Sequence, residues 1–273
     1  MVIKKKLKER VDKLIVERKL AATRAKAQAL ILEGKVFSSQ QKIDKAGTLL
    51  PEDAPLEIRT DESEWVSRGA YKLLRALEVF PVDPKGKVCM DLGASTGGFT
   101  DVLLARGARR VYAVDVGYGQ LAWKLRNDSR VVVMERTNAR YLQREHFDEP
   151  LDMVTIDASF ISLKLLLPVV DSLISKGGSI ICLVKPQFEA GKDRLGKGGI
   201  VRKPEIHKDI LTEVAFFIEE QTTLWLKGAT WSPIKGPKGN IEFLFYLQKN
   251  GHGNSHAIDF DTLVEESHRT LIN

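Results

Sequence analysis

Residues 88–100 read Val-Cys-Met-Asp-Leu-Gly-Ala-Ser-Thr-Gly-Gly-Phe-Thr: an apolar run ends on Asp91, passes into a glycine-rich turn and starts an amphipathic stretch. Such a segment folds as strand, loop and helix. Gly93, Gly97 and Gly98 carry no Cβ where the chain must turn sharply and approach a ligand, and the first amides of the helix are left unpaired. The spacing is not the G-x-G-x-x-G of dinucleotide enzymes, and no lysine makes it a phosphate-binding P-loop. A second apolar run, Val111-Tyr-Ala-Val-Asp115, ends on another acid at a separation that suits a ribose-binding carboxylate on the neighbouring strand.

Around this segment the chain alternates. Strands are expected at 87–91, 111–115, 130–134, 152–157, 179–185, 223–231 and 240–247, with helical stretches between most of the earlier ones. That order predicts an α/β fold with a doubly wound, mainly parallel Rossmann-like sheet. The last two strands are joined by 232–239, a segment rich in Pro and Gly and too short for a crossover helix, so they are expected to form an antiparallel pair at one sheet edge. The glycine loop and the two acidic strand ends together predict a pocket for S-adenosylmethionine.

The N-terminal region has a different character. Apolar residues recur at helical spacing, first Leu7, Val11, Leu14 and Ile15, then Ala27, Leu30 and Ile31, with Thr23 placed to cap the second helix and Gly34 to end it. Short extended pieces follow at 35–37 and 56–58. Residues 1–48 hold 13 Lys or Arg against 5 Asp or Glu, whereas the whole chain has a net charge of +6. The basic excess belongs to this small α+β module, which predicts a polyanion partner, nucleic acid being the common one. The expected division is a module at 1–59, a linker at 60–67, a large domain at 68–250 and a C-terminal tail or helix at 251–273.

Other classes find little support. No run of about twenty apolar residues and no apolar signal core is present, so a cytoplasmic protein without stable membrane association is expected. Cys89 and Cys182 lie in apolar runs far apart and read as buried thiols, and the five histidines show no zinc spacing, so no metal is expected. The serine at 95 lacks the G-x-S-x-G elbow of hydrolases. A monomer is favoured.

Ligands of open α/β sheets bind beyond the carboxyl ends of the strands. Asp157 and Lys185 end two of the expected strands, Lys72 lies on a helix just before the sheet, and Glu242 interrupts the final strand. Singly, Lys185 and Glu242 read equally well as solvated charges. In combination, Lys72, Asp157, Lys185 and Glu242 are similar to the Lys-Asp-Lys-Glu tetrad of RNA ribose 2′-O-methyltransferases of the FtsJ type. The basic module, with Arg10, Asp12, Leu14, Leu20, Thr23-Arg24, Ala27, Ile31 and Gly34-Lys-Val36, resembles an S4 RNA-binding domain, although Val36-Phe-Ser-Ser-Gln40 replaces the Val-x-Val-Asn-Gly common there. From about residue 7 to the last strand the chain resembles the TlyA family, often labelled hemolysin A, through words such as Trp65-Val-Ser-Arg-Gly-Ala-Tyr-Lys72, Asp115-Val-Gly-Tyr-Gly-Gln-Leu-Ala-Trp123 and Leu183-Val-Lys-Pro-Gln-Phe-Glu189.

The resemblance implies methylation of the ribose 2′-hydroxyl of cytidine in ribosomal RNA, on the large (23S) subunit and in some members also the small (16S) one, with S-adenosylmethionine as donor and ribosomal RNA or subunits as partner. Lys185 is then the candidate base, Lys72 the cation that disfavours a second charged amine, and Asp157 and Glu242 the carboxylates that orient both. The loop Gly93, Ala94, Ser95, Thr96, Gly97, Gly98 and Phe99 would hold the methionine and ribose portion of the donor. Asp115 would accept from its ribose hydroxyls, Asn138 would lie by the adenine, and Asp91 would shape the loop or reach the methionine amino group. Lys4, Lys5, Lys6, Arg10 and Arg24 are phosphate-contact candidates on the S4-like module, and Arg68, Arg136 and Arg140 on the catalytic one. Two other readings stand beside this one: a membrane-active hemolysin, and an RNA-binding ribosome assembly factor that has lost catalysis.

Overall fold

A computed structural model describes residues 8–32, 34–39, 41–58, 64–250 and 258–272. The chain divides into two compact units, Met1–Glu64 and Trp65–Asn273.

In the first unit, helices α1 (Val11–Glu17) and α2 (Arg24–Leu32) follow a short strand β1 (Lys8–Arg10). The side chain of Thr23 accepts from Lys26 N at 3.2 Å, and Gly34 leaves the helix with φ of +71°, as their positions foretold. Strand β2 (Val36–Ser38) pairs antiparallel with both β3 (Gln41–Lys42) and β5 (Glu57–Ile58), while β1 pairs with β4 (Leu49–Pro51). The strands β1, β3 and β4 were not apparent in the sequence, because two or three residues are too few to establish an alternating pattern. Val11, Ile15, Ala27, Leu30, Ile31, Val36 and Ile43 form the core of this unit.

The second unit begins with α3 (Ala70–Val79) and proceeds through β6 (Val88–Leu92), α4 (Gly98–Ala105), β7 (Arg110–Val114), α5 (Trp123–Arg126), β8 (Val131–Met134), β9 (Leu151–Ile156), α6 (Leu163–Leu173), β10 (Ile174–Val184), α7 (Pro186–Glu189), α8 (Pro204–Gln221), β11 (Leu224–Trp231), β12 (Phe243–Lys249) and α9 (Phe260–Ile272). The sheet runs β11-β12-β10-β9-β6-β7-β8, with β12 antiparallel to both neighbours and the other pairings parallel. The antiparallel pair β11–β12 closes one edge, as the short connection required. Alternate residues along each inner strand bury on opposite faces. Met90, Val154, Ile180 and Phe245 join one apolar cluster with residues of α6, α8 and α9, while Cys89, Met153, Ile181 and Leu244 join the other with α3 and α4. Burial on both faces explains why these strands read as continuous apolar runs.

Two expectations are corrected. Glu242 precedes β12 instead of interrupting it: the strand begins at Phe243, although the Glu242 carbonyl still accepts from Ser232 N at 2.9 Å. Residues 65–67, expected in a linker, lie in the second unit, where Val66 N donates to Asp101 Oδ2 at 2.9 Å and Trp65 and Val66 pack on the core.

Candidate active site

The loop after β6 is shaped by buried polar contacts. Asp91 is fully buried and sits opposite Thr155 in the β6–β9 register. Its Oδ2 accepts from Thr100 N at 2.9 Å and Thr100 Oγ1 at 2.7 Å, and its Oδ1 from Thr155 Oγ1 at 3.0 Å. Burial pushes this carboxyl up to about 6 against the opposing pull of those hydrogen bonds. Asp91 therefore fastens the first turn of α4 to the sheet, and it also lines a cavity beside Lys72.

Gly93 has φ of +84°, and a Cβ there would stand 2.9 Å from the Asp157 carbonyl oxygen and 3.0 Å from Ala158 Cα. The missing side chain lets two stretches of backbone meet. Gly97 and Gly98 likewise make room for protein, namely the Leu121 and Leu125 side chains and the Ser67–Ala70 segment, and Gly98 also lines a cavity. Gly93→Ala is expected to cost about 1–3 kcal/mol from the left-handed backbone alone, with the backbone clash adding to it. Thermal unfolding and calorimetry of donor binding measure this, and a variant with unchanged melting and affinity would contradict the close approach.

A cavity of about 340 Å³ opens beyond the ends of β6, β7, β8 and β9, with Gly93, Ser95, Asp115, Gln120, Asn138 and Ser159 in its wall. Asp115 accepts from Ser95 N at 2.8 Å through Oδ2 and from Gly117 N at 2.7 Å through Oδ1, which leaves further acceptor capacity on each oxygen. Asn138 accepts from Arg140 N at 3.1 Å through its side-chain oxygen, so its amide group retains two donors. The loop covering the cavity is held by Glu135, whose carboxylate accepts from Gly119 N (2.9 Å), Gln120 N (3.1 Å), Leu121 N (3.4 Å) and Arg126 Nη2 (2.5 Å). The Gly119 hydrogen bond leads the contacts that hold Glu135 down at about 2. Sequence reasoning gave Glu135 no role, although an acid directly after a strand is the signal that singled out Asp115.

Four distant side chains meet beside this cavity. Lys72 comes from α3, Asp157 follows β9, Lys185 follows β10 and Glu242 precedes β12. Lys72 Nζ lies 2.7 Å from Glu242 Oε2 and 3.4 Å from Asp157 Oδ2, and Lys185 Nζ lies 2.6 Å from Asp157 Oδ1. Lys72, Lys185 and Glu242 are buried, and the alternating charges compensate one another, as charges removed from water must. Burial alone would lower the pKa of Lys72, but Asp157 and Glu242 outweigh it and raise it above the ordinary lysine value. Gln187 donates to Glu242 Oε1 at 3.5 Å, a contact that no sequence signal indicated. A second cavity, of about 200 Å³, is lined by Lys72, Asp157 and Lys185 and shares Gly93, Ser95, Asp157 and Ser159 with the first.

The RNA candidates divide. Arg10 and Arg24 both bind the fully buried Asp12, Arg10 through Nε at 3.0 Å and Nη2 at 2.9 Å, Arg24 through Nε at 3.0 Å, and Gln28 adds a third donor at 3.0 Å. These arginines are thus held by an internal acid, with about half of each side chain exposed. On the second unit Arg68, Arg136 and Arg140 are exposed, Arg136 lying over the Tyr118 ring at 4.1 Å and Arg140 over Tyr141 at 5.9 Å. Lys4, Lys5 and Lys6 lie outside the described residues. Among the described residues no group of acids, histidines and cysteines could hold a metal ion, and no helix is long and apolar enough to cross a membrane.

A mainly parallel sheet, a glycine loop and a lysine-carboxylate cluster at the strand ends define a methyltransferase, and the FtsJ-like methyltransferase model matches residues 65–249. The chain belongs to that family, and an S4 domain matches residues 9–54. It is 45% identical to the 16S/23S rRNA (cytidine-2′-O)-methyltransferase TlyA of Mycobacterium tuberculosis, covering 96% of this chain and 97% of the relative. A protein named Hemolysin A from Brachyspira hyodysenteriae is 39% identical over 87% of this chain and 99% of its own length. Among solved structures, a candidate hemolysin from Streptococcus thermophilus superposes with a TM-score of 0.73 at 41% identity, covering 97% of this chain and 98% of that one.

Proposed function

We propose that the chain methylates the ribose 2′-hydroxyl of cytidine in ribosomal RNA, with S-adenosylmethionine as donor. The observation that carries this reading is the meeting of Lys72, Asp157, Lys185 and Glu242 at 2.6–3.4 Å, the first three lining a cavity that shares a wall with the pocket between Gly93 and Asn138. The larger cavity fits the donor by its chemistry. Asp115 keeps acceptor capacity for a pair of ribose hydroxyls and Asn138 keeps amide donors for a purine edge, while Ser95, Thr96, Gly98 and Phe99 line the smaller cavity beside the tetrad. When bound, S-adenosylmethionine supplies a methyl group already activated by its sulfonium charge, so no metal or reductant enters the reaction.

The protein's own residues then have to bring the ribose oxygen into line and take its proton. Lys185 takes the proton through its amine. Lys72 stays charged between two carboxylates, and its positive charge 3.4 Å from Asp157 keeps that carboxylate from being wholly engaged by Lys185. Glu242 holds Lys72 and is itself steadied by Gln187. The S4 unit supplies phosphate contacts through Arg10 and Arg24, which Asp12 holds side by side, and Arg68, Arg136 and Arg140 extend the contacts on the catalytic unit.

Methyl transfer from labelled S-adenosylmethionine to separated small and large ribosomal subunits, followed by mapping of ribose methylation, tests the reading. Label on a cytidine 2′-oxygen of ribosomal RNA is the expected result. Absence of transfer to either subunit would leave an assembly factor, and leakage of liposomes by the protein alone would leave a hemolysin.

A further inference from the structure

Lys185 holds contacts that its ion pair with Asp157 does not explain. Its Nζ donates to Ser159 Oγ at 2.9 Å and to the Asp157 backbone carbonyl at 3.3 Å. Asp157 Oδ1 lies 2.6 Å from Nζ as an ion-pair contact, while the hydrogen bonds of the amine run to Ser159 and the backbone carbonyl. Ser159 itself stands in the walls of both cavities.

A lysine that is to accept a proton must be neutral, and a neutral amine has two N–H bonds and one lone pair. Two acceptors that occupy both N–H bonds fix the direction of the lone pair. Resting on the tetrad reading above, we infer that Ser159 is a positioning residue for methyl transfer: with the Asp157 carbonyl it engages both N–H bonds of Lys185 and leaves the lone pair for the ribose hydroxyl. As the ribose oxygen bonds to the methyl carbon, its proton moves to that lone pair. The carbon–sulfur bond breaks with its electron pair going to sulfur. The new ammonium then carries a third N–H, and its charge is met by the Asp157 carboxylate 2.6 Å away.

The backbone keeps Ser159 in place. Phe160, the next residue, has φ of +64°, a left-handed conformation that a bulky side chain adopts only when its surroundings impose it. The far end of the same loop is fastened by Glu189, which accepts from Ser162 Oγ at 2.6 Å and Leu163 N at 2.7 Å. The hydroxyl is therefore presented by a segment fixed at both ends, on Lys185 and on Glu189.

The test is steady-state methylation of ribosomal subunits by the full chain carrying Ser159→Ala or Ser159→Thr, with S-adenosylmethionine affinity measured by calorimetry. The alanine variant is expected to lose about tenfold to a hundredfold in kcat, with KM for RNA and donor affinity unchanged, and threonine to restore most of the loss. An unchanged or higher kcat in Ser159→Ala would overturn the inference, as would a parallel loss of donor affinity or a threonine variant no better than alanine. Lys185→Ala run alongside separates the two levels: if it keeps wild-type kcat, the tetrad reading fails, and if it is inactive while Ser159→Ala is not, only the role of Ser159 fails.

Discussion

Replacing Lys185 by alanine is expected to lower methyl transfer by about a hundredfold to ten-thousandfold, the range for removal of a general base, while leaving S-adenosylmethionine affinity within a factor of about three. The side chain is buried, its amine bonds Asp157 and Ser159, and Lys185 itself does not line the donor cavity. Removing one partner of a buried ion pair costs about 3–5 kcal/mol of stability. Here the cost falls below that range, since Asp157 keeps Lys72 at 3.4 Å and about a fifth of its side chain is exposed. Donor affinity therefore serves as the check that the variant is folded. Turnover at the wild-type rate would remove Lys185 from the chemistry.

Deletion of residues 1–59 is expected to spare donor binding and to weaken affinity for ribosomal RNA by about a hundredfold or more near physiological salt. The donor cavity is lined wholly by residues of the second unit, which has its own sheet and two apolar clusters. The deleted segment carries the chain's basic excess, and each phosphate it neutralises releases counterions on binding. The slope of log affinity against log salt should become shallower in the truncated protein. The cut must stay ahead of Trp65, because Val66 is bonded to Asp101 on α4. Undiminished RNA binding, or an unchanged salt slope, would move the binding surface onto the catalytic unit alone.

Much of the fold was legible because its signals are local. Continuous apolar runs ending on Asp91, Asp115 and Asp157 mark parallel strands buried on both faces, and the Pro- and Gly-rich 232–239 connection marks the antiparallel edge. Asn138, Asp115 and the glycine loop were placed by their position just after strands. The short strands of the S4 unit escaped notice, and Ser159 and Gln187 were given no role, since neither follows a strand directly and each acts through a partner at least 26 residues away. Arg10 and Arg24 carried a charge that any reading would count, but not the buried Asp12 that binds both.

The order of residues by itself determined which segments become strands and helices, which acids stand at strand ends, and that a basic module precedes an α/β body, because apolar periodicity and turn chemistry act between near neighbours. Tertiary structure alone decided which charges touch. Lys72 reaches Glu242 across 170 positions only because β12 inserts antiparallel between β10 and β11 and brings the residue before it to the carboxyl ends of the parallel strands. Over contacts of a few ångströms, electrostatic energy depends on distance and burial, and neither is written in sequence spacing.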